Sequence, residues 1–234
     1  MELKEIIIYP IKSCKGIIVN ELKFNNNGLL FDRELLLINE NNKIMNLINF
    51  PILNSIDFSL NDNFLNIIIN NNELIINLLE EPEEIFDSKL KILGKNVKAK
   101  IFNRNINKWF SDNLNLTCKL LKTYENELNF KKDGDILLIS EESFNYFNST
   151  LIKKINYYNF RPNLIVRNIE NFQEDNLDEF LINNYKFKKI KKCRRCSLIN
   201  VDSNTGEYNK EIFSNLSKIR MNKFVFFGII IKKI

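Results

Sequence analysis

Leu3-Lys4-Glu5-Ile6-Ile7-Ile8-Tyr9-Pro10 is a run of β-forming residues that stops at a proline. The pattern recurs at 18–24, 34–38, 64–69 and 73–78, with Asn, Gly and Pro marking the turns between the runs. Residues 97–101 alternate apolar and basic side chains, as a half-buried strand does. Short strands at roughly ten-residue spacing predict a β-barrel or sandwich for the first part of the chain.

Helical periodicity begins later. Ile106, Trp109 and Phe110 share a face and predict a helix over 106–113. Ser140 is a suitable N-cap, and Glu141 and Glu142 suit the positive end of the helix it would start. A short helix is expected over 177–182. Another is expected over 210–219, with Ile212, Phe213, Leu216 and Ile219 on one side. Strands are expected at 120–123, 136–139, 164–166, 185–190 and 229–234. The class is therefore mainly β, of α+β type. No linker rich in Gly, Pro or Ser separates the halves, and a soft boundary is placed at residue 110, giving domains 1–110 and 111–234.

Composition narrows the function classes. The 234 residues are 44% hydrophobic and 27% charged, ordinary values for a globular protein. A net charge of +5, scattered along the chain, gives no reason to expect nucleic acid as a stable partner. No apolar run reaches the roughly 18 residues of a membrane span, and the N-terminus lacks the pattern of a signal peptide. Four cysteines do not make a disulfide scaffold here, so a reducing cytoplasm is the expected compartment.

The chain has no histidine. That removes the His general base, the His nucleophile pairs and the His metal ligand. The chemistry-bearing stretch that remains is Cys193-Arg194-Arg195-Cys196, between two segments read as strands, 186–192 and 197–202. Four readings stand for it. Two structural thiols can lie close by chance. A zinc site would need Cys14, Cys118 or a carboxylate as further ligands. A thioredoxin-like dithiol needs a following helix, where the sequence suggests a strand. A thiolate ligand to a softer, redox-active metal fits the flanking arginines, which could also hold an anionic cofactor. Arg161, in Asn159-Phe160-Arg161-Pro162-Asn163, is expected in extended backbone before proline, where its planar guanidinium suits a phosphate or carboxylate. Tyr9-Pro10-Ile11-Lys12-Ser13-Cys14-Lys15-Gly16 carries anion-binding residue types without P-loop spacing.

Taken in order, these pieces resemble a known family. Residues 9–16, then Gly28-Leu29-Leu30-Phe31-Asp32-Arg33, are similar to the N-terminal β-barrel module of MOSC-domain proteins. Phe160-Arg161-Pro162-Asn163, Cys193 to Cys196, Val201-Asp202 with Thr205-Gly206, and Phe227-Gly228 resemble the MOSC domain itself. The chain looks like the amidoxime-reducing branch of that family and its bacterial relatives.

The resemblance implies an N-terminal barrel module packed with a MOSC β-barrel domain carrying several short helices. It implies a molybdenum–molybdopterin cofactor with Cys196 as the metal ligand and catalytic centre. Lys12, Ser13, Arg33, Arg161, Asn163, Arg194, Arg195 and the loop residues Asp133 and Gly134 are then cofactor-binding. The implied reaction reduces small N-hydroxylated compounds by oxygen-atom abstraction at the metal. Electrons would come from a separate flavin, ferredoxin-like or cytochrome protein. MOSC-like domains are also associated with sulfur handling, which implies the alternative of a sulfur or molybdopterin carrier. The family runs on past its Phe-Gly pair into a further strand, so a chain ending at Ile234 is expected to lack it and to be a shortened relative.

Overall fold

The computed structural model describes residues 1–26, 28–86, 90–92, 95–124, 136–202 and 205–234. The chain is mainly β, with three α-helices among these residues. It divides into two compact units, each built from separate stretches of chain. One comprises Met1–Ile7, Ile18–Leu29 and Asp133–Ile234; the other comprises Ile8–Ile17 and Leu30–Lys132.

The first unit is organised by a sheet of eight strands. Along it run Glu179–Ile182, Tyr185–Arg194, Phe224–Lys233, Ile136–Ser140, Leu164–Arg167, Glu2–Ile8 and Ile17–Val19, with Met221–Asn222 paired to the Phe224–Lys233 strand. Ile136–Ser140 and Leu164–Arg167 are parallel, while Glu2–Ile8 runs antiparallel to the latter. Such a parallel pair needs a crossover, which the helix Glu141–Ser149 helps supply. Ser140 caps that helix, accepting the Ser143 N–H, and Glu141 and Glu142 lie in its first turn. Lys210–Arg220 starts at Asn209, whose side chain accepts the Glu211 N–H, and has Lys218 and Arg220 in its last turn, where cations suit the helix dipole.

The core of this unit is aromatic. Phe147, Phe160 and Phe227 are fully buried, and the Phe160 and Phe227 rings lie 4.3 Å apart. Each such ring removed from water contributes roughly 2–3 kcal/mol. Gly228 follows Phe227 with φ +71, and a Cβ there would meet the Leu138 carbonyl oxygen at 2.6 Å. The Phe-Gly pair is thus fixed by packing: an aromatic for the core, then a residue with no side chain.

The second unit holds a meander of Asp57–Asn61, Phe64–Ile69 and Asn72–Asn77, and a four-stranded sheet ordered Leu35–Asn39, Cys118–Thr123, Ala99–Ile101, Glu84–Ile85. Leu36, Ile38, Ala99, Ile101 and Leu121 form a buried cluster with Leu90 and Val97 of the hairpin Leu90–Ile92/Lys95–Val97. The helix Arg104–Leu114 is capped by Asn103, which accepts the Asn105 and Ile106 N–H groups, and ends at Asn115 in left-handed backbone. Burial raises the Cys118 thiol to about 11, as expected of an inert core cysteine. In both units the strand pairings among the described residues run as open paths.

The strand expected over 18–24 is broken into Ile17–Val19 and Phe24–Asn25, and two expected element types change. Residues 177–182 were expected as helix, but Glu179–Ile182 is a strand paired with Tyr185–Arg194. Asn183 and Asn184 connect them with φ of 46 and 66, the left-handed pair that a two-residue hairpin favours. Residues 197–202 were expected as strand, but Ser197–Asn200 is a 3-10 turn with Ile199 and Asn200 buried. Asn159 holds it from inside, donating to the Ile199 and Val201 carbonyls.

Candidate cofactor site

Cys193 and Arg194 end the long strand Tyr185–Arg194. Arg195 then turns away, its N–H bonded to the Val225 carbonyl at 2.8 Å. Its guanidinium makes two directed contacts. Nη2 donates to the Phe160 carbonyl at 2.6 Å, and Nη1 donates to the Cys193 sulfur at 3.2 Å. The guanidinium also lies 5.3 Å from the Phe160 ring centroid. Arg195 Nε is buried and has no hydrogen-bond partner. Arg194 is exposed, with its guanidinium 3.7 Å from the Phe224 ring centroid. Cys196 is an exposed free thiol at the N-cap of the 3-10 turn and makes no capping hydrogen bond. The two cysteines therefore differ: one is half-buried and held by an arginine, the other open.

The segment Phe160–Asn163 is bound to the same place through Phe160. Arg161 does not take the extended backbone expected before proline. It caps the 3-10 turn Tyr157–Phe160 in left-handed backbone, φ 53 and ψ 49, with its N–H on the Tyr158 carbonyl. Asn163 is fully buried. Its Oδ1 accepts the Leu137 N–H at 3.2 Å and its Nδ2 donates to the Ile7 carbonyl at 3.0 Å. Its side chain thus joins two strands that flank its own, a scaffold role that sequence reasoning did not foresee.

Asp175 was also missed. It is buried, and its Oδ2 accepts from Arg220 Nη2 at 2.5 Å and Lys192 Nζ at 2.9 Å. Lys192 directly precedes Cys193, so this carboxylate anchors the end of the strand that carries Cys193. No spacing rule marks Asp175 in the sequence. Beside it, buried Glu174 accepts from the Ser140 and Ser143 hydroxyls at 3.0 and 2.8 Å, and burial raises its carboxyl above the ordinary range.

The second unit holds the other predicted set. Lys12 is half-buried and its N–H binds the Leu35 carbonyl at 2.8 Å. Ser13 is buried with φ 70. Arg33, φ 60, bonds its N–H to the Tyr9 carbonyl at 2.7 Å, and its guanidinium lies 4.7 Å from the Tyr9 ring centroid. Asp32 is buried, accepts the Tyr9 N–H, and pairs with Arg33 Nη1 at 2.6 Å. The two loops thus interlock, and part of the Arg33 charge is answered within the loop itself. The predicted residues Asp133 and Gly134 lie outside the described residues.

Among the described residues, 14 non-glycine positions have positive φ; eight are Asn or Asp, which tolerate it. The other six include Ser13, Arg33 and Arg161. Each costs of order 1–3 kcal/mol and persists where surrounding structure enforces it. Half of the unusual positions thus fall on residues that the sequence had marked for a cofactor.

Residues 1–117 match the MOSC N-terminal beta barrel domain, and residues 125–234 match the MOSC domain. The chain belongs to the MOSC family. Among curated relatives, the MOSC chain is 29% identical to the molybdenum cofactor sulfurase of Oryza sativa subsp. japonica, over 99% of its own length and 32% of that protein. It is 29% identical to mitochondrial amidoxime reducing component 2 of Rattus norvegicus, over 94% of this chain and 72% of that one. The human protein of the same name is 28% identical, over 87% and 68%. The chain thus spans about a third of the rice sulfurase that it matches.

A molybdenum–pterin group brings sulfur ligands of its own, so the chain needs to add little. Among the described residues no three His, Cys, Asp or Glu side chains gather to hold a bare metal ion. What the first unit offers is an open thiol, an exposed arginine and a buried guanidinium nitrogen with an unused N–H. That donor set fits one thiolate bond plus an anionic group. No helix among the described residues is long and apolar enough to cross a membrane.

Proposed function

We propose that this MOSC protein is a molybdenum cofactor-dependent oxidoreductase that reduces small N-hydroxylated compounds such as amidoximes and hydroxylamines. The observation that carries this reading is the asymmetry of the cysteine pair. Cys196 is exposed and uncapped, whereas Cys193 is held by Arg195. In this reading Cys196 supplies the thiolate to the metal, and Arg194, Arg195 and Arg161 face the anionic part of the cofactor. When bound, the cofactor supplies the two-electron removal of oxygen from nitrogen. The chain itself then needs no side-chain nucleophile, which suits a protein without histidine. Its task is to hold the thiolate and the arginines in place through Phe160, Val225 and Asp175.

Lys12, Ser13 and Arg33 are proposed as cofactor ligands on the family resemblance, and Ser13 and Arg33 also on their enforced left-handed backbone. Electrons come from a separate redox protein in this proposal, and the compartment is the cytoplasm. The test is aerobic purification from a host that makes the cofactor, followed by molybdenum and pterin assay and by reduction of a simple amidoxime with a chemical reductant. Metal, pterin and turnover together support the reading; protein without molybdenum overturns it.

The likeness to molybdenum cofactor sulfurases favours a second reading, a carrier of sulfur or molybdopterin. A carrier would release pterin or a persulfide sulfur to an acceptor protein and show no amidoxime turnover.

A further inference from the structure

Far from these residues in sequence, the second unit contains a cleft of about 470 Å³. Its floor is apolar: Ile76, Ile101 and Phe102 are buried, and Ile106 reaches it from the helix Arg104–Leu114. Its wall is Glu80-Glu81-Pro82-Glu83-Glu84, four carboxylates in five residues. Their charges are not equally answered. Glu81 pairs with Lys122 at 2.6 Å and Lys100 at 3.4 Å. Glu80, Glu83 and Glu84 are exposed and make no ion pair among the described residues.

The apolar side is also incomplete. Ile75, which lines the cleft, is 64% exposed. Ile75 therefore adds an accessible apolar edge to the buried floor of Ile76, Ile101 and Phe102. Three exposed carboxylates without ion pairs among the described residues leave net negative charge beside the apolar floor. A ligand that brings one positive charge and one apolar body answers both features. The volume lies within the roughly 300–1,000 Å³ of small-molecule sites, which argues for a compact ligand.

We propose that this cleft binds a small organic monocation with an apolar body, of which an arylalkyl ammonium is the simplest form. The cleft lies within one unit, and the proposal is independent of the molybdenum reading.

Calorimetric titration of the full chain at low ionic strength tests it with three probes. 2-Phenylethylammonium carries charge and body, 2-phenylethanol the body alone, and methylammonium the charge alone. The first is expected to bind at least tenfold more tightly than either of the others. The double variant Glu83→Gln with Glu84→Gln removes two exposed charges and is expected to weaken it roughly five- to tenfold at an unchanged unfolding midpoint. Added salt should weaken it in the wild type. Equal binding of the alcohol and the ammonium overturns the proposal, as does undiminished binding by the double variant. Absence of binding by the ammonium also overturns it, and so does binding of a short lysine-rich peptide in its place.

Discussion

Arg195 and Cys193 are joined by a guanidinium N–H donated to sulfur at 3.2 Å, while the other arm of the same guanidinium holds the Phe160 carbonyl at 2.6 Å. One side chain thereby connects the cysteine strand to the Phe160–Asn163 segment. A lysine keeps the charge but cannot make the planar two-armed contact. Arg195→Lys is therefore expected to lose about 1–2 kcal/mol of stability and several-fold of bound molybdenum. Urea unfolding and metal analysis read the two effects separately. A variant with wild-type metal content would remove Arg195 from the site.

Asp175 accepts from both Arg220 and Lys192 and is itself buried. Removing its charge strands the largely buried Arg220. Asp175→Asn is expected to cost about 2–4 kcal/mol, less than a fully enclosed pair because Lys192 is half exposed. Urea midpoints of the wild type and variant measure it directly.

Gly228 combines φ +71 with a Leu138 oxygen 2.6 Å from where a Cβ would sit. Backbone cannot yield as a flexible side chain does. Gly228→Ala is expected to cost about 3 kcal/mol or more and to reduce soluble yield. An unfolding midpoint within a degree of wild type would contradict this packing.

Glu174 gives a pH signature. Burial raises its carboxyl, so the folded chain holds that proton more tightly than the unfolded chain. The associated stability is fully present below the unfolded value of about 4.3 and falls as pH rises through the folded value. Glu174→Gln keeps an oxygen for Ser140 and Ser143 to bind and carries no charge. Its urea midpoint is expected to exceed that of wild type at pH 7.5 and to converge with it near pH 4. A variant less stable than wild type at both pH values would contradict the charge argument.

Much of the scaffold could be read from local pattern. Ser140 followed by two glutamates does cap a helix, and the strand Phe64–Ile69 has its expected bounds. The errors came where tertiary contacts override pattern. Apolar Leu198, Ile199 and Val201 suggested a strand, but Asn159 uses the carbonyls of the last two to hold a turn. Asn183-Asn184 was a hairpin signal beside a stretch read as helix, and the hairpin prevailed. The candidate site could be named from residue types in order; its construction could not. Left-handed backbone at Ser13, Arg33 and Arg161 cannot be anticipated from residues that rarely adopt it. Nor does sequence reveal that Asn163 spends its amide on two neighbouring strands, or that Asp175 anchors Lys192.

The central claim is that Cys196, not Cys193, binds the metal. The most direct measurement is molybdenum per chain in wild type, Cys196→Ala and Cys193→Ala, all purified from one cofactor-producing host and normalised to folded protein. The account predicts near-complete loss of molybdenum in Cys196→Ala and retention of most of it in Cys193→Ala. Metal kept by Cys196→Ala, or lost equally from both variants, would contradict it.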